Sequence, residues 1–246
     1  MASESAGESV VPLSRSEFAK RIDHTLLRPT ATRDDVGLLC EEALRFDFWS
    51  VCVAPSYVRQ AAEHLRGSGV RVCAVVGFPL GFSTGSVKLA EARKAVEDGA
   101  DEIDMVMNLG AFKSGDYSLV SREIENVAMY CRDARKVLKV IIECCFLTDD
   151  EKVNAGRLTE RSGADYVKTS TGFGTGGATV EDVSLLKRSL VGTAKIKAAG
   201  GIGTLEKALA MISAGAGRIG TTSGAKIMAE WTEIADHGMV AKPRSG

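Results

Sequence analysis

The chain has almost no net charge: 31 basic residues against 32 acidic ones leave −1. That excludes a global basic field of the kind that binds nucleic acid or an anionic membrane. No run approaches the roughly 18 apolar residues that a membrane helix needs. The N-terminus lacks a charged stretch followed by an apolar core, so no secretory signal is read and a cytoplasmic protein is expected. No C-x-x-C pair occurs. The six cysteines (Cys40, Cys52, Cys73, Cys131, Cys144 and Cys145) are scattered over apolar segments, which suits reduced, buried thiols better than a disulfide framework. The three histidines, His24, His64 and His237, lie far apart, and none is near Cys144-Cys145, so no metal-ligand spacing is found. No G-x-G-x-x-G follows the first expected strand, which argues against a dinucleotide-binding open sheet. No linker or composition break divides the chain.

What is present is an alternation. The 246 residues, 45% apolar and 26% charged, suit one large α/β domain with a sizeable core. Residues 1–13, rich in Ser, Glu, Ala and Gly, read as a mobile head. Ser14 or Ser16 can cap a short helix with Glu17 near its start. Strands are expected at 22–27, 49–53, 70–76, 102–107, 138–142, 165–168, around Lys197, and at Arg218-Ile219. Between them, apolar residues recur at helical spacing: Leu89, Ala92 and Val96; Val120, Ile124, Val127 and Cys131; Leu205, Ala208, Leu209 and Ile212. Thr32 and Thr148, each followed by acids, read as helix starts, and Pro55 suits a first turn. The expected helices run to about Phe46, Arg66, Ser162, Leu190, Gly215 and Ile234. Eight strands and eight helices at roughly 22–36 residues per unit predict a single-domain α/β fold, the (β/α)8 TIM barrel, over 14–235, with a tail at 236–246.

Charges sit where such a fold puts chemistry. Asp165 to Lys168 is a strand that ends in a lysine and breaks into Thr169-Ser170-Thr171-Gly172. Lysine is disfavoured in strands and is rarely buried. An edge-strand lysine is one reading. A second strand ends at Lys197 and runs into Gly200-Gly201, and a third carries Glu102 and Asp104. Barrel active sites use the C-terminal ends of strands, and Asp23, Asp104, Glu143, Lys168 and Lys197 all lie at or near such ends. Strand alternation lets Asp104 and Lys139 point inward on neighbouring strands, with Lys168 and Lys197 across from them. Such a cluster is either a buried ion-pair network without chemistry or a setting for a nucleophilic amine, in which a neighbouring cation favours the free base and a carboxylate moves protons. Gly200-Gly201 and Gly220-Thr221-Thr222-Ser223 occupy the place where barrels hold phosphate, although helix capping alone explains the same residues. Arg218 reads as an anion contact or a solvated arginine.

The stretches IDHTLLRPT, GADEIDMVMNLGAFKSG, LKVIIE, ADYVKTSTGF, KIKAAGGI and RIGTTSG occur in that order from about residue 20 to 225. Together they resemble the deoxyribose-phosphate aldolases, a family of class I (Schiff-base) aldolases. The resemblance implies a (β/α)8 barrel that reversibly cleaves 2-deoxy-D-ribose 5-phosphate to D-glyceraldehyde 3-phosphate and acetaldehyde, with no metal or organic cofactor. It makes Lys168 the Schiff-base lysine, Lys197 the second lysine whose charge favours the free amine of the first, and Asp104 the acid that relays protons through water. Asp23, Thr25, Lys139 and Thr171 line the same pocket, and Gly200, Gly201, Gly220, Thr222 and Ser223 hold the phosphate. The implied partners are the phosphorylated sugar and acetaldehyde, with no nucleic acid and no membrane, and a homodimer or homotetramer is compatible. Ala198 stands where some members have proline, Cys144-Cys145-Phe146 where many have threonine first, and the tail lacks the tyrosine with which some members end. Another Schiff-base barrel aldolase with a different carbonyl donor, and a non-catalytic barrel serving as a binding or scaffold protein, remain the alternatives.

Overall fold

The computed structural model describes residues 13–236. Its strands are β1 (Ile22–Leu26), β2 (Ser50–Val53), β3 (Arg71–Val76), β4 (Glu102–Val106), β5 (Val137–Ile141), β6 (Tyr166–Lys168), β7 (Lys195–Ala199) and β8 (Arg218–Thr221). They are all parallel and hydrogen-bond in chain order, and β8 pairs back to β1, so the barrel is closed. The helices are α1 (Arg15–Ala19), α2 (Arg33–Phe46), α3 (Val58–His64), α4 (Gly85–Glu97), α5 (Leu109–Lys113), α6 (Tyr117–Asp133), α7 (Asp149–Arg161), α8 (Val180–Ser189), α9 (Leu205–Ser213) and α10 (Gly224–Asp236).

Local chemistry explains the element boundaries. Ser14, Thr32 and Thr148 each cap a helix through a reciprocal capping box, with Glu17, Asp35 and Glu151 respectively returning the bond. In α2 the residues Val36, Leu39, Cys40 and Ala43 form the buried stripe. The expected helix from Pro55 to Arg66 is divided: a 3₁₀ turn at Pro55–Tyr57 leads into α3, and Gly67, with φ of 79°, follows its end. Alpha-helix α5 and a 3₁₀ turn at Cys144–Phe146 were not foreseen, since neither is long enough to show a period. Helices α4 and α6 are pinned by a buried ion pair, Lys88 Nζ to Glu123 Oε2 at 2.8 Å.

The two faces of the barrel differ completely. Outward-facing Val51, Val72, Ala74, Ile103, Met105, Leu138, Val140, Val167, Ile196 and Ile219 join the helices in one large apolar core. Inward-facing Cys52, Cys73 and Val75 form a small apolar cluster of their own. Much of the remaining interior is charged, and Asp23, Glu102, Asp104, Lys139, Lys168, Lys197 and Arg218 are all buried. Buried charge is tolerated only when paired, so the interior must form a network. The expected head, up to residue 12, and the tail beyond Asp236 with its lack of tyrosine lie outside the described residues. Among the described residues no helix is long and apolar enough to cross a membrane.

Candidate active site

The network is centred on Asp104. On the strand ladder Asp104 is level with Lys139, and Lys168 is level with Lys197. The two lysine-bearing strands β6 and β7 are adjacent in the barrel. Asp104 Oδ2 accepts from Lys168 Nζ at 2.7 Å and from Lys197 Nζ at 2.8 Å. Its other oxygen, Oδ1, accepts from Lys139 Nζ at 2.9 Å and lies 3.2 Å from Cys73 Sγ. One carboxylate thus touches three lysines from three strands.

A second layer holds the first. Lys197 Nζ also lies 2.5 Å from Asp23 Oδ2, and Lys139 Nζ lies 2.6 Å from Glu102 Oε2. Arg218 Nη1 donates to Asp23 Oδ1 at 2.6 Å. Its guanidinium lies over the Trp49 ring at 4.4 Å and near Tyr166 at 5.5 Å, and Trp49 Nε1 donates to Glu102 Oε1 at 2.7 Å. Arg218 is therefore neither an anion contact nor solvated. It is a buried counter-ion stacked on aromatic faces.

Burial alone would push Asp104 up, but Lys139, Lys168 and Lys197 outweigh it and hold the acid well below the ordinary carboxylate range. Asp23 is likewise lowered against its burial, by Lys197, Arg218 and Lys139. Burial disfavours the charged forms of Lys139 and Lys197, yet their carboxylate neighbours, Asp104 foremost, raise both above the ordinary lysine range. These two lysines are fixed cations. The interior then holds three carboxylates (Asp23, Glu102, Asp104) against four bases (Lys139, Lys168, Lys197, Arg218). It is neutral when one base gives up its proton. Lys168 is the base with the fewest carboxylate partners: Asp104 alone.

Lys168 is also the one of the three lysines that meets open space. A cavity of about 490 Å³ at the C-terminal mouth is lined by Lys168, by Thr25 in β1 and Leu27, Arg28 and Pro29 after it, by 171–173 after β6, by 199–203 at the end of β7 and beyond, and by 220–223 at β8. The expected Thr25, Thr171, Gly200, Gly201, Gly220, Thr222 and Ser223 all lie on its wall. Asp23, Lys139, Asp104 and Lys197 do not. They are fully buried beneath it, so Asp23 and Lys139, expected as substrate contacts, belong to the ionic layer under the floor.

The wall is built from tight backbone. Gly200 and Gly201 have φ of 88° and 73°, which only glycine adopts at little cost. A Cβ on Gly177 would sit 2.2 Å from the Gly200 carbonyl oxygen, so the β6–α8 loop rests directly on the β7–α9 loop. Thr221 Oγ1 donates to the Ile202 carbonyl at 2.6 Å and accepts from the Ser223 amide at 2.9 Å, which binds the last two glycine-rich turns together. Glu143, in the left-handed region at φ 53°, accepts from the Thr171 amide at 3.1 Å and from its hydroxyl. Phe173 meets Phe78 edge-on at 5.3 Å on the rim.

Sequence reasoning missed Arg28, Phe173, Glu102 and Cys73 as parts of this site. Alternation in β4 put Glu102 on the same face as Asp104, which was the available signal. Nothing local marked Arg28 or Phe173. Cys52, Cys73 and Asp104 bring possible ligand atoms within 4.8 Å of one another. The ammonium groups of Lys139 and Lys197 already on Asp104 make that cluster a poor host for a cation.

A family model described as DeoC/LacD family aldolase matches residues 18–230. A curated deoxyribose-phosphate aldolase of Thermococcus gammatolerans is 54% identical over 214 residues, which is 86% of this chain and 95% of that one. The enzyme of the same name from Brevibacillus brevis is 54% identical over 209 residues, covering 85% and 94%. A solved structure described as a unique tetrameric deoxyribose phosphate aldolase from Aeropyrum pernix superposes with a TM-score of 0.83 at 35% identity, covering 90% of this chain and 93% of that one.

Proposed function

The chain belongs to the DeoC/LacD aldolase family, and from that premise we propose that it cleaves 2-deoxy-D-ribose 5-phosphate to D-glyceraldehyde 3-phosphate and acetaldehyde, reversibly, through a Schiff base on Lys168. The observation that carries this reading is that, of the lysines gathered on Asp104, only Lys168 lines the cavity. The names of the relatives support the substrate.

The charge count supports the nucleophile. A lysine amine attacks only as the free base, and ordinary lysine is protonated near neutral pH. Lys197 and Lys139, each held by carboxylates of its own, keep two fixed positive charges near Lys168 and disfavour a third. The free amine adds to the C1 aldehyde, water leaves, and a cationic imine forms. That imine accepts the C2–C3 bonding pair when the C3 hydroxyl loses its proton, and glyceraldehyde 3-phosphate departs. The remaining enamine takes a proton at C2, and water releases acetaldehyde and the lysine. Asp104, held by Lys197 at 2.8 Å, is the carboxylate under the imine that relays protons through water at the reacting centre, and Lys197 is the fixed positive charge beside it. Asp23 and Lys139 act by fixing that pair, not by touching substrate.

The anion end fits the phosphate. Gly200, Gly201, Gly220, Thr222 and Ser223 offer backbone amides, hydroxyls and the start of α10. We infer no metal or organic cofactor. A homo-oligomer is consistent with the description of the Aeropyrum pernix relative as tetrameric.

The test is direct. Purified protein is incubated with 2-deoxy-D-ribose 5-phosphate and both products are identified, glyceraldehyde 3-phosphate by a coupled dehydrogenase. Cleavage at C2–C3 is expected. Absence of both products from folded protein would refute the reading, and a different aldehyde fragment would assign the barrel to another donor.

A further inference from the structure

We propose that Arg28 is the cation that neutralises the substrate phosphate, and that Asp35 positions it. The proposal rests on the reading of the substrate as a sugar phosphate.

The cavity wall is the starting point. Among the seventeen residues lining it, only Lys168 and Arg28 carry a charge, and both are cations. A phosphate monoester brings a charge near −2 at neutral pH. The glycine-rich turns and the hydroxyls of Thr222 and Ser223 can donate hydrogen bonds, but they are neutral. Lys168 has to be uncharged to attack, and it works at the opposite, aldehyde end of the sugar. Among the described residues, that leaves Arg28 as the wall's one permanent charge for the phosphate.

Its local setting fits the task. Arg28 follows β1 just before Pro29, and half of its side chain is exposed. Its Nη2 lies 2.5 Å from Asp35 Oδ2. No other acceptor is found for it among the described residues, so Nε and Nη1 stay free to donate. Arginine presents its donors as a planar fork, and one carboxylate oxygen uses only part of that fork. Asp35 is itself held: the same Oδ2 accepts from the Thr32 amide and hydroxyl, each at 2.7 Å. Those bonds, with Arg28, keep its carboxyl down at about 2, so it is a fixed anion at any working pH. The cap of α2 thereby orients a guanidinium at the lip of the cavity. A second cavity of about 400 Å³ shares Thr25, Leu27, Arg28 and Thr222 with the first and reaches Asp35. Arg28 lines both spaces, with one end of its guanidinium on Asp35.

The readout is the preference for phosphorylated over unphosphorylated deoxyribose, measured as a ratio of kcat/KM values. In Arg28→Met that ratio is expected to fall about 10- to 100-fold, through KM for the phosphorylated sugar, and competitive inhibition by inorganic phosphate should weaken in parallel. Arg28→Lys should restore most of the ratio. Asp35→Asn should lower it by about 3- to 10-fold in the wild-type background and leave it unaltered when Arg28 is already methionine. A purely structural role for Asp35 would instead lower the melting temperature and both kcat/KM values alike. Circular dichroism checks that each variant is folded. An unchanged ratio in folded Arg28→Met, beside a wild type that prefers the phosphorylated sugar, would overturn the proposal. A wild type with no such preference would overturn the phosphate reading itself, before Arg28 comes into question.

Discussion

Replacing Lys197 by leucine tests whether the ionic layer drives the chemistry. Lys168 and Lys197 both touch Asp104 Oδ2, at 2.7 and 2.8 Å, so their nitrogens are at most about 5.5 Å apart. At an effective dielectric near 20, two unit charges at that distance repel by about 3 kcal/mol, which corresponds to about two pH units. The sign follows from the required form. The attacking amine must be neutral, and a neighbouring positive charge favours neutrality. With Lys197 gone, three carboxylates face three bases, and the interior is neutral with Lys168 protonated. The acid limb of kcat/KM should therefore move up by about two pH units in Lys197→Leu, and much less in Lys197→Arg. Asp23 retains Arg218 and Asp104 retains Lys139 and Lys168, so neither carboxylate is stranded. The loss of stability should stay at or below the roughly 3–5 kcal/mol typical of a broken buried pair. Rates measured from pH 5 to 10 on protein confirmed as folded decide the matter. An acid limb that stays put, or moves down, would refute the electrostatic account.

Four further outcomes are expected. Borohydride with acetaldehyde should trap a two-carbon adduct that peptide mapping places on Lys168, and Lys168→Ala should abolish it; an adduct on Lys139 or Lys197 would reassign the nucleophile. Gly177→Ala sets a Cβ against the Gly200 carbonyl, so it should displace the phosphate-side loop and raise KM for the phosphorylated sugar at least tenfold, on the order expected for a lost charge-assisted contact; unchanged kinetics would move the anion site elsewhere. EDTA should leave activity intact, because the ammonium groups on Asp104 oppose a cation there, and recovery of a lost activity by Zn²⁺ would contradict the Schiff-base route. Lys88→Met leaves Glu123 buried without its partner between α4 and α6, which should cost about 3–5 kcal/mol in denaturant unfolding; a loss under about 1 kcal/mol would mean that water reaches the carboxylate.

Much of this was legible in the sequence because local rules and tertiary packing agree. The caps at Thr32 and Thr148 and the apolar stripes of α4, α6 and α9 mark the helices. Near-continuous apolar runs gave the strands, because both faces of such strands are covered. The three central residues Lys168, Lys197 and Asp104 stood out as charges at strand positions, where unpaired charge is costly. What stayed hidden depends on distant partners. Whether Arg218 is solvated or buried turns on Trp49 and Tyr166, which lie 169 and 52 positions away. Asp23 and Lys139 lie beneath the cavity and not on its wall, and whether a side chain faces the cavity or the layer beneath it depends on height in the barrel, which alternation does not encode. Arg28 follows a strand in an ordinary turn, and only the closed cavity reveals it as one of two charges on the wall.

The pairing of Asp23 with Arg218 joins residues 195 positions apart, and the links from Asp104 to Lys168 and Lys197 span 64 and 93. The first needs β1 and β8 side by side, and the other two need β4, β6 and β7 in place together. Contacts of such long sequence separation are late events in folding, because the chain loses loop entropy before they repay it. Until β8 docks on β1, Arg218 has no Asp23 to pair with, and Asp23 lacks one of the cations that hold it beneath the cavity. The ionic layer under Lys168 is thus complete only in the closed barrel. On refolding, activity should return with the last step of closure, after helix content has recovered.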